Sequence, residues 1–202
     1  METRKRILDA AEKVFSRHGF DGASLREIAT LADVPVGLVH HHGGSKEALF
    51  AETVRRHAGL LAEIRMRDLK ALKEKGPLTL EAIMDCFFRA YQKLVNEEGD
   101  QWLDYGRLVA HVSADARWRD LAAECFDPTT QHFMEAILSL YPKATSELAA
   151  TGQIFSVAAM LAFFNANWRL ETLSPGASPP DMNHLVRFSA AGMKALLQAK
   201  PA

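Results

Sequence analysis

The chain has 202 residues, 48 % of them hydrophobic, with 24 Lys and Arg against 25 Asp and Glu for a formal charge of −1. That length can bury a sizeable core in one or two domains, and the near-neutral balance excludes strong nonspecific polyelectrolyte binding as the basis of function. No run is expected to cross a bilayer, and the opening METRKRILDA lacks the apolar stretch of a signal peptide, so a cytoplasmic protein with no membrane partner is expected.

Helical periodicity begins at once. Ile7, Leu8, Ala11, Val14 and Phe15 recur at helical spacing between Thr3 and His18, and Gly19 offers a C-terminal stop. Arg4, Lys5 and Arg6 make a basic start that reads either as an approach to phosphates or as a solvated helix end. Ser24-Leu25-Arg26-Glu27 has the capping-box form, with the serine oxygen accepting from the third helical amide and the glutamate reaching back. Leu25, Ile28, Ala29 and Ala32 then follow one face of a second helix. Asp33 stands at the turn, because short polar residues tolerate left-handed backbone. Pro35 opens a third helix through Val36 to His42, and Gly43-Gly44 stops it. Two helices joined by so short a turn form a helix-turn-helix, whose second helix fits the major groove of double-stranded DNA.

Residues 1 to 57 hold nine Lys and Arg against eight Asp and Glu, so affinity must come from a few placed phosphate contacts made twice in a dimer. Five of the eight histidines lie there too (His18, His40, His41, His42, His57), and the charge of this region is expected to rise as pH falls through roughly 6.5. Consecutive helical residues point about 100° apart, so His40, His41 and His42 cannot all face one ion, and no metal or cofactor is expected. Cys86 and Cys125 lie within apolar helical patterns without metal spacing and read as buried thiols.

From Ser45 a long fourth helix carries Leu49, Phe50, Val54, Leu60, Leu61, Ile64, Leu69 and Leu72 to Gly76-Pro77, a length that suits a connector. Leu80 through Val95 traces a strongly apolar helix broken at Glu97-Glu98-Gly99-Asp100, and Trp102 to Val112 a shorter one. A further stretch runs from Asp115 through Phe126, meets Asp127-Pro128, where a kink or break is expected, and resumes through Tyr141. No strand alternation or phosphate loop interrupts the pattern, so the fold class is all-α.

Aromatic stripes at helical spacing are first of all core. More informative are polar groups within apolar helices: Arg89, Arg107, His111, Asn165 and Asn167. Arg89, Arg107, His111 and Asn165, with Phe88, Trp102, Tyr105, Phe133 and Trp168, form the candidate ligand-binding set. A buried guanidinium needs a partner, either an internal carboxylate such as Asp104 or an acidic ligand. Ser146 can cap a helix carrying Leu148, Gly152, Phe155 and Ala159, and Asp181 another carrying Leu185, Phe188, Gly192 and Met193. Small residues at such spacing let helices approach closely, either within one chain or across a homodimer built from these last two helices. No placed nucleophile, acid/base pair or metal set argues for an enzyme.

The pattern from Ile7 to Phe50 resembles the N-terminal domain of the TetR family of bacterial transcriptional regulators. The resemblance rests on Ile7-Leu8-x-Ala10-Ala11, Phe15-x-x-x-Gly19, Ile28-Ala29, Ala32, Val34, Gly37, His41 and Ser45-Lys46-Glu47. It implies a three-helix DNA-binding domain over 1–48 and a larger helical ligand-binding and dimerisation domain over 49–202. His40 and Lys46 would position phosphates, Val36, Gly37 and His41 would face the groove, and Ser24 and Arg26 complete the DNA-binding set. His40 and Gly43 stand where the family commonly has aromatic residues, and Asp33 where it has a turn glycine, which implies a less rigid head. The segment from Trp102 to Pro142 also resembles, less specifically, members that sense fatty acids or acyl-CoA, with Arg107 or His111 as head-group contacts. The function expected is a ligand-responsive DNA-binding repressor, released from a palindromic operator by a small apolar or acyl-type molecule. The alternative is a helical small-molecule-binding protein whose sequence-specific DNA binding is weakened or lost.

Overall fold

A computed structural model describes residues 2–166 and 168–198; Asn167, singled out above, lies outside them. Every element among the described residues is helical. In chain order they are α1 (Glu2–Gly22), α2 (Leu25–Leu31), α3 (Val36–Gly43), α4 (Lys46–Lys75), α5 (Leu80–Glu98), α6 (Asp100–Ala114), α7 (Arg119–Leu140), α8 (Ser146–Asn165), α9 (Trp168–Leu173) and α10 (Met182–Leu197), with one 3₁₀ turn at Ala116–Trp118.

The local signals act largely as their chemistry dictates. Ser24 caps α2, its hydroxyl accepting from the Glu27 amide at 3.1 Å, but the Glu27 carboxylate lies 3.2 Å from His18 Nε2 instead of closing the box. Ser45 Oγ accepts from the Ala48 amide at the start of α4. Asp181 caps α10, whereas α8 is capped by Thr145, one residue earlier than expected. Gly19 does interrupt α1, at φ 66 and ψ −176, yet a helical turn resumes to Gly22. A Cβ there would make only ordinary contact with the His111 ring at 3.5 Å, so it is the left-handed conformation that favours glycine. Pro128 neither breaks nor ends α7. It lies on an exposed face with Glu124, whose carbonyl loses its amide donor where water can replace it.

The chain forms two compact units, one of residues 1–60 and 98–125, the other of residues 61–97 and 126–202. In the first, α1 packs on α2, α3 and α6 over a core of Ile7, Phe15, Ile28, Val39, Leu49 and Phe50. Thus α6 joins the helix-turn-helix unit although it lies far along the chain. The second unit is built on Leu80, Ile83, Phe87, Phe88, Phe133 and Ile137, with α8 packed on α10. There Gly152 meets Met193 so closely that an added Cβ would fall 2.8 Å from the methionine methyl and nearer still to its sulfur. Burial in this unit pushes the Cys86 thiol up to about 11, which keeps it an inert thiol near neutrality.

α8 corrects one expectation. By length and composition it is apolar enough to cross a bilayer, and 33 % of its most apolar stretch is buried. Ile154 and Phe155 on it are 66 % and 61 % exposed, and Phe188 on α10 is 71 % exposed. An apolar helix only one-third covered by its own chain is what a helix–helix interface needs as well.

Candidate nucleic-acid interface and effector region

α3 is short, and its placement decides which side chains it can offer. Val39 and Gly43 are buried, and a Cβ on Gly43 would lie 3.0 Å from Leu49 Cδ1. Leu49 therefore fills the space beside Gly43. With that edge anchored, Val36, Gly37, His40 and His41 share a roughly 140° arc at about 100° per residue, and all four are exposed. Gly37 has nothing within 4 Å of where a Cβ would be, so this part of the face is open. The His41 and His42 rings touch edge to face at 5.0 Å. Among the described residues no set of three His, Cys, Asp or Glu side chains could hold a metal ion.

The flanking candidates are less uniform. Arg26 is exposed on α2, and Ser24 spends its oxygen on the cap. Lys46 Nζ lies 3.4 Å from the Asp21 carbonyl and 4.7 Å from the centre of the Phe20 ring, so it holds the α1–α2 corner. Of the basic N-terminal run, Arg4 pairs with Glu52, and Arg6 donates to the carbonyls of Ala32 and Asp33 at 2.5 and 2.8 Å. Both arginines thus serve internal contacts.

The turn that aims α3 follows a recognisable backbone scheme. Asp33 has φ 51, the Val34 amide donates to Ala29 O at 3.0 Å, and the Asp33 amide donates to Thr30 O at 3.1 Å. This is a Schellman closure, normally built with glycine at the left-handed position.

Of the expected ligand residues, four lie on α6 inside the first unit, Trp102 and Tyr105 buried and Arg107 and His111 exposed. Trp102 and Tyr105 are fully buried and flank His57, at ring separations of 5.0 and 5.2 Å. His57 Nε2 lies 3.0 Å from Glu12 Oε1, and Gln101 Nε2 donates to Glu12 Oε2 at 3.3 Å. Arg107 pairs with Asp104 at 2.8 Å, and Ser16 Oγ donates to the same carboxylate oxygen at 2.9 Å. Of the two partners open to that guanidinium, the internal carboxylate is the one it meets. His111 Nε2 is 3.4 Å from Ser16 O.

The same unit carries a clasp that sequence reasoning missed. Arg117 makes two bonds to the Asp21 carboxylate, at 3.0 and 2.6 Å, and another to Asp115. The guanidinium holds both carboxyls below their ordinary value. Trp118 packs on Phe50 and Phe20 at 4.5 and 4.9 Å, and Arg55 makes a two-bond pair with Glu124 at 2.7 Å.

In the second unit Phe88 and Phe133 are buried, with Phe87 touching both rings at 5.9 and 5.0 Å. Arg89 is not buried as its apolar setting suggested; it is exposed and bonds Asp85 and Asn183. Trp168 is 65 % exposed. Asn165 donates to Leu161 O, while its buried Oδ1 has no hydrogen-bond partner among the described residues. The buried guanidinium of this unit is Arg65, stacked 3.6 Å from the Phe87 ring centre and donating to Phe87 O at 3.2 Å. Gln153 is buried, and among the described residues neither of its amide atoms has a hydrogen-bond partner. The signal for both was a polar residue on an apolar stripe: Arg65 between Leu61 and Leu69, Gln153 between Ala149 and Met160.

An all-helical chain that presents a short exposed helix beyond a tight turn is a helix-turn-helix protein. Two family models match, "Bacterial regulatory proteins, tetR family" over residues 7–53 and "Tetracyclin repressor-like, C-terminal domain" over residues 85–192. The second covers more than half of the chain, which belongs to the TetR family of bacterial transcriptional regulators, a family of DNA-binding proteins and not of enzymes. The transcriptional repressor AcnR of Corynebacterium glutamicum is 36 % identical over 62 residues, 31 % of this chain and 33 % of that one, so that match spans about a third of the relative. The transcriptional regulator BetI of Vibrio atlanticus is 26 % identical over 173 residues, 85 % of this chain and 81 % of that one. Among solved structures, a TetR-family regulator of Bordetella parapertussis has a TM-score of 0.64 at 17 % identity, covering 96 % of this chain and 94 % of that one. AmtR of Mycobacterium smegmatis has 0.59 at 14 %, covering 98 % and 87 %. These likenesses show the fold.

Proposed function

We propose that the chain is a cytoplasmic, homodimeric transcriptional repressor that occupies a roughly palindromic operator and leaves it when a small apolar or acyl-type effector binds. The observation that carries the responsive part is the membership of α6 and the 115–118 turn in the first unit. Both belong to the C-terminal family match, yet they clasp the helix-turn-helix through Arg117–Asp21, Trp118 and the Ser16–Asp104 bond. A shift of that segment would reach α1 and α4 directly. On this reading Trp102, Tyr105, Arg107 and His111 couple, and the effector candidates are Phe88, Phe133 and Asn165 together with Arg65 and Gln153 of the second unit. A buried amide without partners costs on the order of 1–3 kcal/mol per unsatisfied group, and an effector with a polar head would offset it.

Two-fold symmetry would set two α3 helices about 34–36 Å apart in successive major grooves. His40 and Lys46 position phosphates, and Val36, Gly37 and His41 face bases. The test is a titration with the DNA upstream of the chain's own gene at several salt concentrations, followed by native mass spectrometry for a retained small molecule. A salt-dependent specific complex with two protected half-sites supports the proposal. The competing reading, a helical binder without sequence-specific DNA recognition, draws on Arg4 and Arg6 being engaged internally, and absence of any specific complex at moderate salt would establish it.

A further inference from the structure

The left-handed residue of the α2–α3 turn is an aspartate, and an L residue there costs on the order of 1–2 kcal/mol relative to glycine. The Schellman closure satisfies the amides of Asp33 and Val34 but uses neither the Ala32 nor the Asp33 carbonyl oxygen. A single guanidinium covers both: Arg6 Nη2, reaching across from α1, lies 2.5 Å from Ala32 O, 2.8 Å from Asp33 O and 3.2 Å from Asp33 Oδ2. A cation at a helix C-terminus is favourable in itself, and a charged donor makes the stronger class of hydrogen bond. The turn so held leads through Val34 and Pro35 straight into α3.

We propose that Arg6 is a positioning residue for DNA recognition: from α1 it holds the left-handed turn at Asp33, and thereby fixes the angle at which α3 presents Val36, Gly37, His40 and His41. The aspartate contributes the third acceptor, so the residue that strains the turn also helps to recruit the group that stabilises it. This rests on the regulator reading above, and it separates Arg6 from a phosphate contact, the role its place in a basic run would suggest. A phosphate-binding arginine adds about 0.9 to the salt slope for each protomer of the complex, whereas a residue that only sets geometry adds almost nothing.

The experiment compares Arg6→Gln with Lys5→Gln, which removes the same charge from an exposed neighbour, and with Arg6→Gln/Asp33→Gly, in which glycine accepts the left-handed conformation freely. Hydrogen exchange on the free protein reads the turn without DNA. In Arg6→Gln the amides of Asp33 and Val34 exchange faster while the α4 and α5 amides keep their rates; Lys5→Gln changes neither. With operator DNA, Arg6→Gln loses about tenfold in affinity, the equivalent of one charge-assisted hydrogen bond, with a salt slope within about 0.5 of the parent. The double variant regains most of that loss. Unchanged exchange in Arg6→Gln, or a slope lower by about two for the dimer, overturns the proposal. A parent chain that binds no specific DNA overturns the regulator reading, while the exchange measurement still decides whether Arg6 holds the turn.

Discussion

Glu12 stands on the buried face of α1, at helical spacing from Leu8 and Phe15, and its carboxylate is reached by His57 from α4 and Gln101 from α6, with Arg56 3.5 Å away. A buried carboxylate is tolerable only with such partners, because desolvation costs more than one contact returns. Removing His57 takes away a partner of the buried Glu12 carboxylate and empties the space beside the Trp102 and Tyr105 rings. His57→Ala is therefore expected to lower unfolding free energy by about 2–4 kcal/mol, and Arg26→Ala, on the exposed face of α2, by less than about 0.5 kcal/mol. Urea denaturation of both variants checks this, and equal midpoints would show that the network contributes nothing. The spacing of α1 puts a polar residue on an apolar stripe, but it does not name the partners of Glu12. A partner 45 or 89 residues away leaves no local mark.

The 3₁₀ turn between α6 and α7 joins the two family matches physically. Asp115 caps it, accepting from the Arg117 amide at 2.9 Å, which turns the Arg117 side chain onto Asp21 at the end of α1. Because the guanidinium lowers the Asp21 carboxyl, the pair contributes above the ordinary value of 3.8 and is lost as pH falls through the lowered one. The clasp is thus expected to be constant from pH 8 to 5. An NMR titration of the Asp21 side-chain carboxyl should give a midpoint below 3.8, returning toward it in Arg117→Ala; an identical midpoint in both would dismiss the pair. The same variant should keep operator affinity in the absence of effector and weaken effector-driven release, as measured by displacement of labelled operator. Helix signals were legible here, from the break at Gly99 to the resumption after Asp115, but the grip was not, because it depends on which residues face each other after folding.

At the scale of the molecule, the open question of the last two helices becomes a matter of uncovered surface. Gly152 accounts for close packing of α8 on α10 within the chain. Ile154, Phe155 and Phe188 remain exposed, and a Cβ on Gly192 would meet nothing within 4 Å. Both readings of the small-residue pattern therefore have residues of their own, with Gly152 serving the intramolecular contact. On the dimer reading proposed above, the others would meet the matching helices of a second copy in a four-helix bundle. Phe155→Glu/Phe188→Glu is expected to convert a dimer into a monomer by light scattering and to weaken operator binding more than tenfold, since two half-sites would no longer be engaged together. A variant that stays dimeric places the interface elsewhere.

Periodicity, caps and stops were enough to place nearly every helix and the helix-turn-helix, because 3.6-residue spacing and backbone hydrogen bonding act over a few residues. The left-handed Asp33, the Ser24 cap and the break at Gly99 were readable for that reason. Long-range packing alone assigned α6 to the unit of α1, brought His57 and Gln101 to Glu12 and brought Arg6 to the turn. Buried aromatic and charged side chains carry no address for their partners; shape and the demand that each buried charge be answered select them only when distant segments meet.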